Sequence, residues 1–172
     1  MSALRKQKQA RQAKRRNNQL ARLLINIHWQ DDYVAGMVTP LLKHVAALAW
    51  MGEGKGVVNI SFVSRDESQK LNKEWRAKDK PTNVLSFPFE LPEGWVSREQ
   101  LLGDLIICPS IVIAEAQAQN KLLSEHAAHL VVHGLLHLQG YDHENEVEAL
   151  EMEALEAELL AQVRIANPYL LA

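Results

Sequence analysis

One stretch constrains this chain more than any other: His133-Gly134-Leu135-Leu136-His137-Leu138-Gln139-Gly140-Tyr141-Asp142-His143. Two histidines four residues apart share one face of a helix, one turn apart, with Cβ atoms roughly 5–6 Å from each other. That separation lets both imidazoles bind one ion at about 2.0–2.1 Å per Zn–N bond. Gly140 is where such a helix can stop, because glycine accepts the left-handed conformation of a C-cap. Past it the chain can turn back and deliver His143 as a third ligand. Three nitrogen ligands leave a fourth tetrahedral position open, the pattern of a catalytic rather than a structural zinc site. The competing explanation is coincidence, since single histidines and i,i+4 pairs on helices are common. Three at this spacing, with a glycine between the second and third, favour one bound Zn2+.

The spacing H-x-x-x-H-x-x-G-x-x-H is also that of the metzincin proteases. Those enzymes need Glu directly after the first histidine, as the general base for the zinc-bound water. Here that position is Gly134. The motif therefore points to metal-assisted hydrolysis and away from ordinary peptide hydrolysis.

The chain has 172 residues, which suits one domain with a single core. Apolar residues make up 47%, enough to fold most of it. The single cysteine, Cys108, excludes an intramolecular disulfide and suits a reducing cytosol. No apolar run approaches the ~20 residues of a membrane helix, and the N-terminus lacks the apolar core of a secretory signal. Charge is uneven. Arg5, Lys6, Lys8, Arg11, Lys14, Arg15, Arg16 and Arg22 give residues 1–22 eight positive charges and no acid, whereas the net charge of the whole is −2. A basic arm on an acidic body is a hint of a polyanionic partner. A solvated, disordered tail explains the charge equally well, and a transit peptide ranks third.

The pattern along the rest predicts α+β in a single domain, 23–172, with a small mixed sheet of about four strands and about five helices. Strands are expected at 23–29, 56–63, 84–89 (ending near Pro88) and 102–108. Helices are expected from Thr39 as N-cap with Pro40 at the first position, from Asp66 as cap through Arg76, and from Pro109 to about Asn120. Two more run from Ser124 as cap to about Leu138, carrying the metal motif at its end, and from Asn145 or Glu146 to before Pro168. The third and fourth strands have no helix between them, which favours a mixed sheet over a parallel one. On the last helix Glu146, Glu148, Glu151, Glu153, Glu156 and Glu158 read as a solvated face, with Val147, Leu150, Leu155, Leu159 and Leu160 packing inward.

Three blocks of this sequence are similar to signatures of the bacterial YbeY family of metal-dependent endoribonucleases. They are His129 through His143, Leu71 through Pro88, and Leu102 through Cys108, with a weaker match at Met152 and Glu156. The resemblance covers about 23–165 and leaves out the basic arm. It implies a cytoplasmic enzyme acting on single-stranded RNA, in maturation of rRNA (notably the 3′ end of 16S rRNA) and in ribosome quality control. Ribosomes or small-subunit precursors would be its partners. It also implies zinc on His133, His137 and His143, and a functional arginine at Arg76.

With zinc bound, a water can ionise near neutral pH. The planar fork of Arg76 suits a phosphate; the plain alternative is a surface arginine paired with Asp79. Lys78 and Lys80 can add RNA contacts or remain solvated loop residues. Asp104 could orient a zinc histidine or pair with Arg76. His129, one turn before His133 on the same face, could be a fourth ligand, a proton shuttle or a packed core residue behind the ligands, the last two favoured over ligation. Asp142 could bond a histidine or hold the turn. His126 and His44 read as structural or exposed, Asp79 and Asn83 as turn formers, and Cys108 as a small hydrophobe. Two other functions stay open: a zinc hydrolase of another substrate class, and a zinc-stabilised, non-catalytic ribosome assembly factor.

Overall fold

A computed structural model of the chain describes residues 22–30, 35–92, 94, 97–143 and 145–170, without the side chains of 35–37. The expected basic arm lies outside the described residues except for Arg22, whose guanidinium bonds the carbonyls of Gly52 (2.5 Å) and Gly54 (3.2 Å). The elements in chain order are β1 (Leu23–Trp29), α1 (Ala35–Ala49), β2 (Gly56–Phe62), α2 (Arg65–Arg76), β3 (Val84–Pro88), β4 (Gln100–Ile107), α3 (Pro109–Ala118), α4 (Leu123–Leu138) and α5 (Glu146–Ala161). This is the α+β domain of four strands and five helices that the pattern predicts. The sheet has the order β1-β2-β4-β3; β1, β2 and β4 run parallel, and β3 pairs antiparallel with β4. The short β3–β4 connection makes the sheet mixed, because only an antiparallel pair can be joined without a crossover.

β2 alternates between buried and half-buried positions over its whole length, and one face carries the core. Val58, Ile60, Phe62, Leu105 and Ile107 meet Val131, Val132, Leu135 and Leu136 of α4 and Leu42, Val45, Ala46 and Ala49 of α1. α4 is apolar nearly all round because α1, α3, α5 and the sheet all pack on it. Each of its fully buried leucines contributes on the order of 1.5–3 kcal/mol. The one stripe spared for polar work runs through His126, His129, His133 and His137, spaced three, four and four apart.

Helix starts are where sequence cues mislead. α1 begins at Ala35, so Pro40 lies inside it; Val38, one turn before Leu42 on the core face, is buried and draws the helix upstream. α2 is capped by Ser64, not Asp66: its Oγ accepts the N–H of Glu67 at 3.2 Å. Ser64-x-x-Glu67 has the spacing of a capping box, and Asp66 sits in the first turn, where the dipole favours an acid. α4 follows Leu122, and Ser124 falls within its first turn. The reason is the tight exit from α3: Asn120 takes a positive φ and Lys121 N–H closes back on Ala116 at 2.9 Å, so α4 starts at once. α5 begins as expected, Asn145 Oδ1 accepting from Val147 and Glu148. Leu155, Leu159 and Leu160 pack inward as expected, but the start of the face and one glutamate do not follow the prediction. Met152, Glu156, Leu159 and Leu160 are buried, while Val147 and Leu150 are exposed.

Candidate metal centre

The end of α4 is built by a Schellman turn. Gly140 has φ +88, its N–H bonds the His137 carbonyl at 3.0 Å, and Tyr141 N–H bonds the Leu136 carbonyl at 3.1 Å. The turn brings His143 back over the helix end. Asp142 Oδ1 accepts the backbone N–H of His143 at 2.8 Å and so holds the turn; it lies 4.0 Å from His137 Nδ1. Gln139 ties this end to α1, donating to Ala49 O (2.8 Å) and accepting from Met51 N–H (2.9 Å).

His133, His137 and His143 then present ligand nitrogens within 4.8 Å of one another. The outer nitrogens of His133 and His137 are already committed. His133 Nδ1 faces Glu156 Oε1 at 2.8 Å, and His137 Nδ1 faces the Tyr141 carbonyl at 3.0 Å. Carbonyls and carboxylates accept, so each Nδ1 carries the proton and each Nε2 presents a lone pair. The two Nε2 atoms are 3.1 Å apart. Two bonds of about 2.0–2.1 Å at a tetrahedral angle put nitrogens about 3.3 Å apart. Two lone pairs at that separation call for a cation between them, so the donor set fits a metal ion. Burial, reinforced by His133 and His143, pushes the His137 pKa down against the opposing pull of Asp142 and the Tyr141 carbonyl. That keeps it neutral, as a ligand must be.

Behind His133 stands a residue that sequence reasoning placed on the solvated face. Glu156 is fully buried. Besides His133 it takes His129 Nε2 at 2.6 Å and the Tyr169 hydroxyl at 2.5 Å. Burial would raise its carboxyl pKa, but the bonds from His129, His133 and Tyr169 outweigh it and hold the group at about 2. A carboxylate behind a histidine orients the ring and raises its basicity as a ligand. Burial and the bond to that carboxylate push the Tyr169 hydroxyl well above its ordinary value, so it remains a donor. His129 stands behind the three histidines, bonded to the same Glu156 carboxylate as His133. Tyr169 had no signal in the sequence. Glu156 had one in the 152/156/159/160 stripe, whose period is helical although one member is charged.

Across from the histidines a cleft of about 740 Å³ opens, lined by Asn72, Arg76, Lys78 and Lys80 on one side and by His133, His137 and His143 on the other. The basic wall is stapled from below. Ser68 Oγ exchanges bonds with Thr82 N and O, and Asn72 Nδ2 donates to Lys80 O at 2.7 Å. Asp79 is taken by Lys73 (2.7 Å) and Gln69 (3.0 Å), not by Arg76. Arg76 instead donates to Ser86 O of edge strand β3 at 3.3 Å, which leans the guanidinium into the cleft. Asn83 is tied to Glu115, which also meets His126 Nε2 at 2.8 Å, so His126 is structural. Cys108 is buried and free. Asp104 does not join the site. Its neighbour Leu105 faces α4, so Asp104 points to the other side of the sheet, where it accepts from Asn59 at 2.9 Å.

Gly134 has a steric reason. A Cβ there would lie 2.8 Å from Leu105 Cδ2 and 3.2 Å from Ser86 Oγ. α4 presses onto the sheet at the position where a metzincin carries its glutamate.

Fold and site together define the class: an α+β protein with a three-histidine cluster able to hold a metal ion, open to a basic cleft. The chain belongs to the endoribonuclease YbeY family, whose model matches residues 24–164. It is 58% identical over 140 residues to the endoribonuclease YbeY of Chromohalobacter salexigens, covering 76% of this chain and 90% of that one. It is also 58% identical over 113 residues to the endoribonuclease YbeY of Colwellia psychrerythraea, covering 66% and 72%. The solution structure of TM1509 from Thermotoga maritima shares the fold, with a TM-score of 0.51, 27% identity, and coverage of 82% of this chain and 92% of that one. No helix among the described residues is long and apolar enough to cross a membrane.

Proposed function

We propose that this chain is a zinc-dependent endoribonuclease that cuts single-stranded RNA during rRNA maturation, at the 3′ end of 16S rRNA, and in ribosome quality control in the cytoplasm. The observation that carries the reading is the pairing, in one cleft, of three converging imidazoles with a guanidinium on the opposite wall. His133, His137 and His143 would hold one Zn2+, which when bound supplies a Lewis acid and a water acidic enough to ionise near neutral pH. Glu156 keeps the His133 proton on Nδ1 and so keeps Nε2 available. Arg76 offers two N–H groups to a phosphate whose charge grows in the transition state. Lys78 and Lys80 hold the RNA backbone beside it. A peptidase reading finds no support at Gly134.

The test is cleavage of a structured rRNA fragment by wild type, Arg76→Ala and His133→Ala, with metal content and thermal melts of each. Arg76→Ala should stay folded and metal-loaded while kcat falls about 10²–10³-fold, the loss typical of a removed charge-stabilising donor. His133→Ala should stay folded, lose the metal and lose cleavage. Undiminished cleavage by metal-free His133→Ala would rule out the proposed chemistry. A wild type that binds rRNA without cutting it would make the chain an assembly factor.

A further inference from the structure

Helix α5 has a second side that the core does not use. Val147 and Leu150 are each 66% exposed. With Ala154, Ala157 and Ala161 they stand at intervals of three, four, three and four residues, so all five share one side of the helix. Ala154 and Ala161 are exposed as well, and Ala157 is half-buried. The exposed acids Glu146, Glu148, Glu151 and Glu158 flank this side, and α5 carries no lysine or arginine. Such a surface repels nucleic acid, and a second copy of α5 would set acid against acid. What fits it is a segment with small apolar residues on one side and cations around them.

Residues 1–21 have that composition. Arg5, Lys6, Lys8, Arg11, Lys14, Arg15 and Arg16 stand there without an acid, and Ala3, Ala10, Ala13 and Leu20 recur at intervals of seven, three and seven. On a helix that spacing gathers them on one side. The arm also leaves the body at the right place. Arg22 is pinned to the Gly52 and Gly54 carbonyls. Met51, beside Gly52, donates its N–H to Gln139 and accepts the Tyr141 hydroxyl on its sulfur at 3.8 Å. Tyr141 stands four residues before Asn145, the cap of α5. The root of the arm and the start of α5 therefore lie at one end of the molecule. The 16 residues of α5 span about 24 Å and a helix of about 20 residues spans about 30 Å, so the arm can cover that side from end to end. We propose that residues 1–21 dock as an antiparallel helix on the exposed side of α5 in the same chain, Leu20 toward Val147 and Ala3 toward Ala161. The arm's cations then lie beside Glu151 and Glu158, and the alanines let the two backbones approach. Tethering gives the arm an effective concentration in the millimolar range at α5, so weak pairing at each position suffices. The contact uses no cleft residue and stands apart from the endoribonuclease reading.

Methyl NMR of the full chain, with a nitroxide on Gln12→Cys, tests this; Cys108 is buried and stays unlabelled. The Val147 and Leu150 methyl signals should broaden. Adding Glu151→Lys and Glu158→Lys, both at exposed positions that leave the core intact, should abolish the broadening. Trypsin should release the arm about 5- to 30-fold faster from the chain with those two reversals than from wild type, because cleavage samples the undocked population and a few helix-surface ion pairs set it. Unbroadened signals, or release at one rate from both proteins, overturn the docking. Full broadening between spin-labelled chains and separate isotope-labelled chains also overturns it, since the occupant is then a second copy's arm. If the docking fails and deletion of residues 2–21 lowers the slope of log K against log salt on an rRNA fragment, the arm's partner is RNA instead.

Discussion

The two walls of the cleft are held in different ways. On the α4 wall two of the three imidazoles are fixed from behind, His133 by buried Glu156 and His137 by the carbonyl of a turn that Gly140 makes possible. On the α2 wall the anchors, Ser68 and Asn72, are buried, but the tips they support are not: Arg76, Lys78 and Lys80 are exposed. A metal site tolerates errors of a few tenths of an ångström at most, which a ring hydrogen-bonded from behind can meet. A phosphate backbone is bound by long-range charge, which asks for position and not for angle. The difference teaches where each kind of substitution should be felt.

The largest effect that sharpens the contrast is Glu156→Gln. It breaks the support behind His133 without touching a ligand, and should weaken metal binding about 10- to 100-fold in a chelator competition. An unchanged affinity would mean the α4 wall needs no support from behind. The same variant has a signature in pH. The Glu156 pKa is depressed in the folded state, to about 2 from its ordinary value of 4.5. Its contribution to stability is therefore complete above about pH 4.5 and is lost as pH falls toward about 2. Urea melts of the metal-free protein should show a flatter acid limb for Glu156→Gln than for wild type.

Next in size is the double variant Lys78→Ala, Lys80→Ala. It should raise KM several-fold, leave kcat and metal content alone, and lower the slope of log K against log salt by about 2, one unit per phosphate contact. A loss of metal there would mean that the walls are coupled. The smallest is Tyr169→Phe, which removes one of three bonds to Glu156 and leaves both histidine bonds. Metal affinity should fall by about 2- to 10-fold, less than for Glu156→Gln, because the group acts through the carboxylate rather than on the ligand. An effect as large as that of Glu156→Gln would make residues 165–170, past the stretch the family model matches, as necessary to the site as the helix.

Short-range periodicities were readable in the sequence because they depend on neighbours in the chain. The i,i+4 histidines, the helix stop at Gly140, the Asn145 cap and the alternation of β2 follow from backbone geometry, and the structure places them as expected. The misplacements share a cause. Ser64 outcompeted Asp66 because a cap is chosen by which side chain reaches the free N–H groups. Pro40 failed as a start signal because burial of Val38 extended the helix past it. Asp104 could not be assigned a face until its strand was paired and Leu105 was seen against α4.

What the sequence by itself determined is the trio of histidines that the fold gathers, since three histidines and a glycine at those spacings converge once the helix forms and stops. Tertiary structure decided everything that acts on the ligands from a distance. It buried Glu156, the one glutamate of α5 drawn into the core, behind His133. It brought Tyr169 back from the far end of the chain, gave Asp79 to Lys73 so that Arg76 turned to the cleft, and pressed α4 so close to β3 and β4 that a Cβ at 134 would crowd Leu105 and Ser86. Each of these joins residues separated by a helix or more, or chooses between near neighbours by what surrounds them. Pairings of that kind are set by which surfaces the core brings together.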